Sequence, residues 1–263
     1  MPNSGAFSLL CQEISGRLIG RLGTFQRNFK TCWQIGDDTG ILAGTLTDPS
    51  GFFTTSDLAP LPHVQVVCDE DCLPIKKNSL DLLISFLSLH AVNDIPGTLI
   101  QCLDSLKPDG LFLAVFIGGE TLFELRTIFQ HVEIEHHQGL SQRFMPLITT
   151  KDAGQLLGRA GFALPVTDVD KIVVRYPSVR CLLDDLKKTT NTTILNDRSH
   201  PALSRKFLSR VDTLYQKQFP SPEGGIQATF ELIYMTGWAP APSQQQALLP
   251  GSAQHSLKDF LNT

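Results

Sequence analysis

The chain is poor in several features that would have announced a role. Its 263 residues include two tryptophans, three tyrosines and three methionines, carry a formal net charge of −4, and hold no long basic run. An acidic balance without a basic stripe is a poor match to a phosphate backbone, so no nucleic-acid partner is expected. The longest apolar runs, LDLLISFLSL and GLFLAVFI, fall short of the roughly 20 residues that a membrane-spanning helix needs. The opening MPNSGAFSLLCQEISGRL lacks a basic stretch followed by a continuous apolar core, so neither a signal peptide nor stable membrane insertion is expected. Six cysteines stand at 11, 32, 68, 72, 102 and 181. Cys68 and Cys72 form C-x3-C, but no second Cys/His pair sits nearby at zinc spacing, so no metal site is expected. Reduced thiols in a cytoplasm fit this scatter better than a disulfide framework.

What is present is an ordinary globular composition, 42% apolar and 18% charged. The length suits one sizeable α/β domain with an insertion, or two small domains. Phe7, Leu10, Cys11, Ile14, Leu18, Leu22 and Phe25 recur at helical spacing, with Arg17, Arg21 and Arg27 between them. That pattern predicts an amphipathic helix whose apolar stripe needs a partner surface. Short apolar runs then alternate with helical patterns. Strands are expected near 31–35, 52–56, 64–68, 80–86 and 110–117, and helices near 39–47, 93–106, 119–137 and 151–160. Apolar strands without period-two alternation imply a parallel sheet covered on both faces. KPDG at 107–110 reads as a turn, Asp94 with Pro96 as a helix start, and Gly161 as a helix stop.

Past Gly161 the pattern changes. Residues 163–175 and 226–238 read as long strands, separated by the amphipathic stretches YPSVRCLLDDLKK and HPALSRKFLSRVDTLYQKQF. Two late strands flanking helices predict an antiparallel pair with an inserted lid. The segment from Pro240 onward is rich in Pro, Ser and Gln and reads as an extended arm. The expected units are residues 1–28, an N-terminal helix; 29–239, the main domain, with a helical insertion at about 177–222; and 240–263, the arm.

Three strand ends carry groups suited to a nucleotide. In TCWQIGDDTG, 31–40, an apolar run ends at Gly36 and Gly40 opens the next helix, so a ligand can approach the backbone. Asp57 closes the second strand, 21 residues after Gly36, where a carboxylate can accept two ribose hydroxyls. Asp69 follows the third strand, in reach of an adenine amino group. Each alone is an ordinary turn or solvated acid; their order and spacing are what single them out.

With VVCDEDCLPIKKNSLDLLISFLSLHAVNDIPGTLIQCLDSLKPDGLFLAV, the chain resembles the class I S-adenosylmethionine-dependent methyltransferases, whose loop reads roughly G-x-G-x-G. The resemblance implies a Rossmann-like, doubly wound, mostly parallel α/β sheet of seven strands, with the lid between the last two. It implies S-adenosyl-L-methionine as cofactor and S-adenosyl-L-homocysteine as product, with Gln34, Gly36, Asp38, Gly40, Asp57, Leu58, Asp69, Glu70 and Ser85 at the cofactor. Asp38 stands where the family has its middle glycine, and Gln34 where it has a carboxylate, so the loop reads as a modified cofactor site or a degenerate one. Ser85 and Phe86 are implied to line the transferred methyl group. His90 reads as a proton acceptor or as a helix-start histidine bonded to backbone.

SLHAVNDIP, GGETLFELR and LLGRAGF resemble a narrower group. It holds the BioC methyltransferases, which act on a malonyl thioester of acyl carrier protein, and a mitochondrial complex I assembly factor that hydroxylates arginine. The leading expectation is a BioC-like methyltransferase; the alternatives are an arginine hydroxylase acting on a complex I subunit, or a non-catalytic scaffold. Glu120, in the Gly-Gly-Glu-Thr turn, reads either as part of an anion-binding helix start or as a charge favouring the helix dipole. Tyr176 and Arg180 are implied to meet the substrate from the lid, and Arg175 and Arg180 read equally as solvated cations.

Overall fold

The computed structural model describes residues 6–36, 40–46, 51–137, 143–188, 203–245 and 251–252. Seven strands form one sheet: β1 Thr31–Ile35, β2 Phe52–Asp57, β3 Val66–Val67, β4 Leu80–Phe86, β5 Leu106–Ile117, β6 Ala163–Tyr176 and β7 Ile226–Trp238. Their order is β3-β2-β1-β4-β5-β7-β6. The first five run parallel, while β7 is antiparallel to β5 and β6 antiparallel to β7. Strand order therefore reverses between β1 and β4, where open α/β sheets place their ligands. The register aligns the carboxyl ends there, with Ile35 beside both Ser56 and Ser85, and Asp57 beside Val67.

The helices are α1 Ala6–Leu22, α2 Ile41–Leu46, α3 Ile95–Ser105, α4 Phe123–His137, α5 Thr150–Ala160, α6 Val179–Lys188 and α7 Arg205–Gln218. The expected ends hold for α3, where the Asp94 carboxylate accepts the Gly97 N–H. They hold also for α5, which Thr149 and Asp152 cap reciprocally and Gly161 ends in the left-handed conformation.

Three expected boundaries move, each for a local reason. β3 is two residues long rather than five: at Gln65 the side-chain Oε1, in place of a backbone carbonyl, accepts the Thr55 N–H at 3.1 Å. KPDG does not end before β5 but bulges within it: Leu80 pairs with Leu106 and Leu82 with Leu111. In that bulge Asp109 has φ 63°, and the Asp109 N–H and Gly110 carbonyl bond Ala239 instead. α4 starts at Phe123 rather than 119, because residues 118–122 close a tight turn with Leu122 at φ 54°.

Two apolar layers cover the sheet. One joins Leu10, Ile14 and Leu18 of α1 to the face carrying Leu82, Ile84 and Phe86. The other packs Leu99 and Cys102 of α3 and Leu157 of α5 on Leu83, Phe112 and Phe116. The cationic side of α1 is tied to the edge strand, Arg21 to Asp168 at 2.6 Å and Arg17 to Asp170 at 3.3 Å. No helix among the described residues is long and apolar enough to cross a membrane.

The helices between β6 and β7 belong to the first layer. Leu182, Leu186, Phe207, Val211 and Tyr215 are buried in it. Arg210 reaches Glu135 of α4 with two 3.0 Å bonds, and Phe129 of α4 packs edge-on against Phe207 of α7. Phe129→Ala is expected to cost about 3–5 kcal/mol by leaving a cavity across that seam, read as a lower urea midpoint with one cooperative transition.

Candidate functional site

The site is built where β1, β2, β3 and β4 end together. β1 leads into Gly36, whose φ is +83° and whose N–H donates to the Ser56 carbonyl at 2.8 Å. A Cβ there would lie 2.1 Å from the Phe86 carbonyl oxygen, so only glycine lets the ends of β1 and β4 touch. Gly40 has φ +81° and sits against His63, which would meet an added Cβ at 3.0 Å. Both glycines are thus required by conformation. Asp37 and Asp38 lie outside the described residues.

Gln34 serves the loop. It is fully buried, and its Nε2 donates to the Gly36 carbonyl at 2.8 Å. Sequence reasoning placed it towards the cofactor; in the structure its amide nitrogen braces the turn. Beside it Ser56 Oγ accepts from Trp33 Nε1 at 2.8 Å and faces the Gln34 carbonyl at 3.3 Å.

The acidic positions fall on one rim. Asp57 ends β2, with Oδ1 accepting the Ala59 N–H at 2.9 Å, and Leu58 beside it is 67% exposed. That pairing of a carboxylate with an open apolar side chain suits a ribose and the ring it carries. Asp69 is exposed and turns its own loop through the Asp71 N–H at 3.0 Å. The next residue points the other way. Glu70 Oε2 accepts Ser88 Oγ at 2.9 Å, Ser88 Oγ lies 2.9 Å from Ser85 Oγ, and Thr98 Oγ1 of α3 donates to the Glu70 carbonyl at 3.2 Å. Burial pushes the Glu70 carboxyl up to about 7; the Ser88 hydrogen bond opposes the rise, and Asp57, Asp69 and Asp71 add to it.

Ser85, Ser88 and Phe86 are all buried, at 0%, 3% and 1% exposure. Contrary to the sequence expectation, the Phe86 ring belongs to the apolar layer against α1, and what this residue brings to the rim is its carbonyl. Ser85 is held in the hydroxyl chain to Glu70 instead of opening directly on a ligand. His90 is half-buried in the 3-10 turn Leu89–Ala91.

The three positions expected at a substrate follow β5 and β6, further along the same edge of the sheet. Gly118 does not leave room for an external anion: a Cβ there would meet Ile233 at 2.7 Å and Glu231 Oε1 at 2.8 Å. Glu231 Oε1 also accepts the Glu120 N–H at 3.4 Å, while Glu120 itself is exposed. The protein supplies its own carboxylate to this turn. Tyr176 is 3% exposed and donates to Asp185 Oδ2 at 3.1 Å, which closes α6 onto β6; burial and Asp185 push its hydroxyl pKa well up. Arg180 is a surface cation with an 87% exposed side chain, 3.8 Å from Asp184. Most of the arm beyond Gln245 lies outside the described residues. Ser88, Ser56 and His63 were not singled out from the sequence; Ser88 had the only available signal, a hydroxyl three residues past Ser85 at a strand end.

Known proteins share this fold. Residues 46–114 match the family model described as a methyltransferase domain. The chain is 36% identical over 276 residues to the human mitochondrial protein named arginine-hydroxylase NDUFAF5, covering 98% of this chain and 78% of that protein. It is 29% identical to the malonyl-[acyl-carrier protein] O-methyltransferase of Laribacter hongkongensis, over 93% of this chain and 87% of the relative. Among solved structures, the YcgJ protein of Bacillus subtilis superposes with a TM-score of 0.55 at 13% identity, over 85% of this chain and 98% of its own. The seven-stranded α/β fold is that of the class I methyltransferases.

Two outcomes are expected. Gly36→Ala should remove ligand binding at the rim and lower the melting temperature, since the new Cβ meets a backbone carbonyl, as calorimetry and thermal melts would show. Glu70→Gln should barely change stability below about pH 5 and raise it by about 1–3 kcal/mol near pH 8. A carboxyl raised in the folded state stabilises at low pH, and that contribution is lost as pH climbs from 4.5 through about 7; paired melts across pH test the sign.

Proposed function

The chain belongs to the family of the arginine-hydroxylase NDUFAF5 proteins on the class I methyltransferase fold, and from that premise we propose that it is an S-adenosyl-L-methionine-dependent enzyme. Gly36, Asp57 and Asp69 form the cofactor rim, and the substrate is a group presented by another protein. The observation that carries the proposal is the Gly36 turn, which adopts a conformation closed to other residues and brings the ends of β1 and β4 into contact.

When bound, the cofactor supplies an electrophilic methyl group on a sulfonium, already an excellent leaving group. The residues then have three tasks: to hold the adenosine, to aim the methyl group and to exclude water. Asp57 is placed to accept the ribose hydroxyls and Asp69 to accept an adenine N–H, while Leu58 offers an apolar surface beside them. Gln34 and Ser56 keep the Gly36 turn in place. Ser85, Ser88 and Glu70 form the wall below, and His90 follows it. A carboxylate acceptor needs no base, because it is already a nucleophile. Methyl transfer to a carboxylate on an acyl-carrier thioester is therefore the reaction that this rim accounts for most simply, with S-adenosyl-L-homocysteine leaving.

A second reading, arginine hydroxylation on a respiratory complex I subunit, is favoured by the 36% identity along nearly the whole chain. In both readings residues 29–239 form the catalytic unit, the insertion at about 177–222 faces the protein substrate, and residues 1–28 and 240–263 flank it. The compartment we propose is the cytoplasm, where thiols scattered along a chain as these are stay reduced.

Calorimetric titration with S-adenosyl-L-methionine should show binding; its absence would sink the proposal. Asp57→Ala should weaken that binding by about 10- to 100-fold through loss of charged hydrogen bonds. Incubation with malonyl-carrier protein should add one methyl group by mass. A carrier left unmodified, together with a complex I subunit that loses an oxygen's mass in a deletion strain, would select the second reading.

A further inference from the structure

Arg126 lies in the first turn of α4, half-buried, with its Nη2 donating to the Gly119 carbonyl. Among the described residues it is the only Lys or Arg that is not exposed and yet faces no carboxylate. The others of that kind, Arg17, Arg21, Lys107 and Arg143, each have an acid within 2.9 Å. A guanidinium carries several donors in a fixed fork, so one partly withdrawn from water beside a backbone carbonyl still has hydrogen bonds to give to an anion. We propose, resting on the cofactor reading above, that Arg126 is a specificity-determining residue. It holds the carboxylate of the acceptor and makes the site prefer an anionic acceptor to a neutral one.

The acids around the turn are committed to other donors. Glu124 accepts the N–H and the hydroxyl of Thr229. Glu231 accepts the Glu120 N–H at 3.4 Å and lies 3.7 Å from Lys171 Nζ, while Glu120 is exposed. The peptide between Gly119 and Glu120 keeps the two charges apart. It is trans, so its N–H and its carbonyl point in opposite directions. The N–H meets Glu231 and the carbonyl meets Arg126. Arg126 therefore stands on the side of the turn away from the acid that fills it.

Its place on the sheet edge suits an acceptor. β4 and β5 end side by side, with Phe86 beside Val115 and the Leu87 N–H on the Val115 carbonyl at 2.7 Å. β5 runs on to Ile117, and the turn that Arg126 braces follows at once. The turn thus leaves the strand next to the one that carries Ser85 and Ser88, about 5 Å further along the edge. In the cofactor reading adenosine lies over the ends of β2 and β3 and the sulfur past Gly36 of β1. In-line displacement then brings the nucleophile from the opposite side, over β4 and β5. The guanidinium takes one carboxylate oxygen in a charge-assisted hydrogen bond, and the other attacks the methyl carbon. The new O–CH3 bond forms as the S–CH3 bond breaks, the electron pair of that bond goes to sulfur, and no proton moves.

The test compares two carriers that differ only in the carboxylate. Malonyl-carrier protein and acetyl-carrier protein are each titrated by calorimetry into the full chain saturated with S-adenosyl-L-homocysteine, so that no methyl group is transferred. The wild type should bind the malonyl form about 10- to 100-fold more tightly. In Arg126→Gln that preference should disappear while the affinity for S-adenosyl-L-methionine stays unchanged, and Arg126→Lys should regain part of it. A purely structural role would weaken both carriers alike; a preference that survives in Arg126→Gln, or a wild type without one, overturns the inference. Loss of S-adenosyl-L-methionine affinity in Arg126→Gln would put the guanidinium on the cofactor's own carboxylate and overturn it as well. A wild type that binds S-adenosyl-L-methionine but neither carrier overturns the inference and leaves the cofactor reading intact. One that binds no cofactor overturns both.

Discussion

The contact between Gly36 and the Phe86 carbonyl is the constraint on which the candidate site depends. Two parallel strands that end side by side must diverge, unless something small lets one turn pass over the other. Here a hydrogen at Cα occupies space where a methyl carbon would lie 2.1 Å from an oxygen. Because the approach is backbone to backbone, it cannot be relieved by a rotamer change. Gln34 bonds to the Gly36 carbonyl and Ser56 accepts the Gly36 N–H through its own carbonyl. The turn is thus fixed from both sides, and Asp57, Asp69 and Ser85 take their positions relative to it.

Much of this was legible in the sequence because it rests on patterns of backbone and apolar residues. The strand lengths of β1 and β4, the helix stop at Gly161, and the late antiparallel pair all follow from local chemistry. So does the coincidence of Gly36, Asp57 and Asp69, whose spacing is set by a strand–helix–strand unit of ordinary size. The readings that failed concern where a side chain points. Gln34, Phe86 and Tyr176 sit at positions from which a ligand is within chain distance, but alternation along a strand or packing of a neighbour turns each inward. A resemblance carries positions; burial decides directions.

The Gly-Gly-Glu-Thr turn shows the same distinction. Glycines before a helix invite an external anion on physical grounds. Yet Glu231, more than a hundred residues later, reaches that turn from β7 and bonds the Glu120 N–H. Glu124, two positions past Leu122, does likewise for Thr229, accepting both its N–H and its hydroxyl. No local pattern contains these pairings, since they arise only when β7 slots between β5 and β6. The acids stitch the last strand to the start of α4, and Gly118 gives Glu231 room.

The insertion between β6 and β7 has its inner faces sunk into the same apolar layer as α1 and α4. Acceptor choice in such a fold cannot drift freely along those helices, because half of each is committed to holding the molecule together. Substitution is tolerated best at outward positions and connecting segments, where a residue such as Arg180 can change at little thermodynamic penalty. One scaffold can in this way take on a different acceptor without giving up the packing that holds it together.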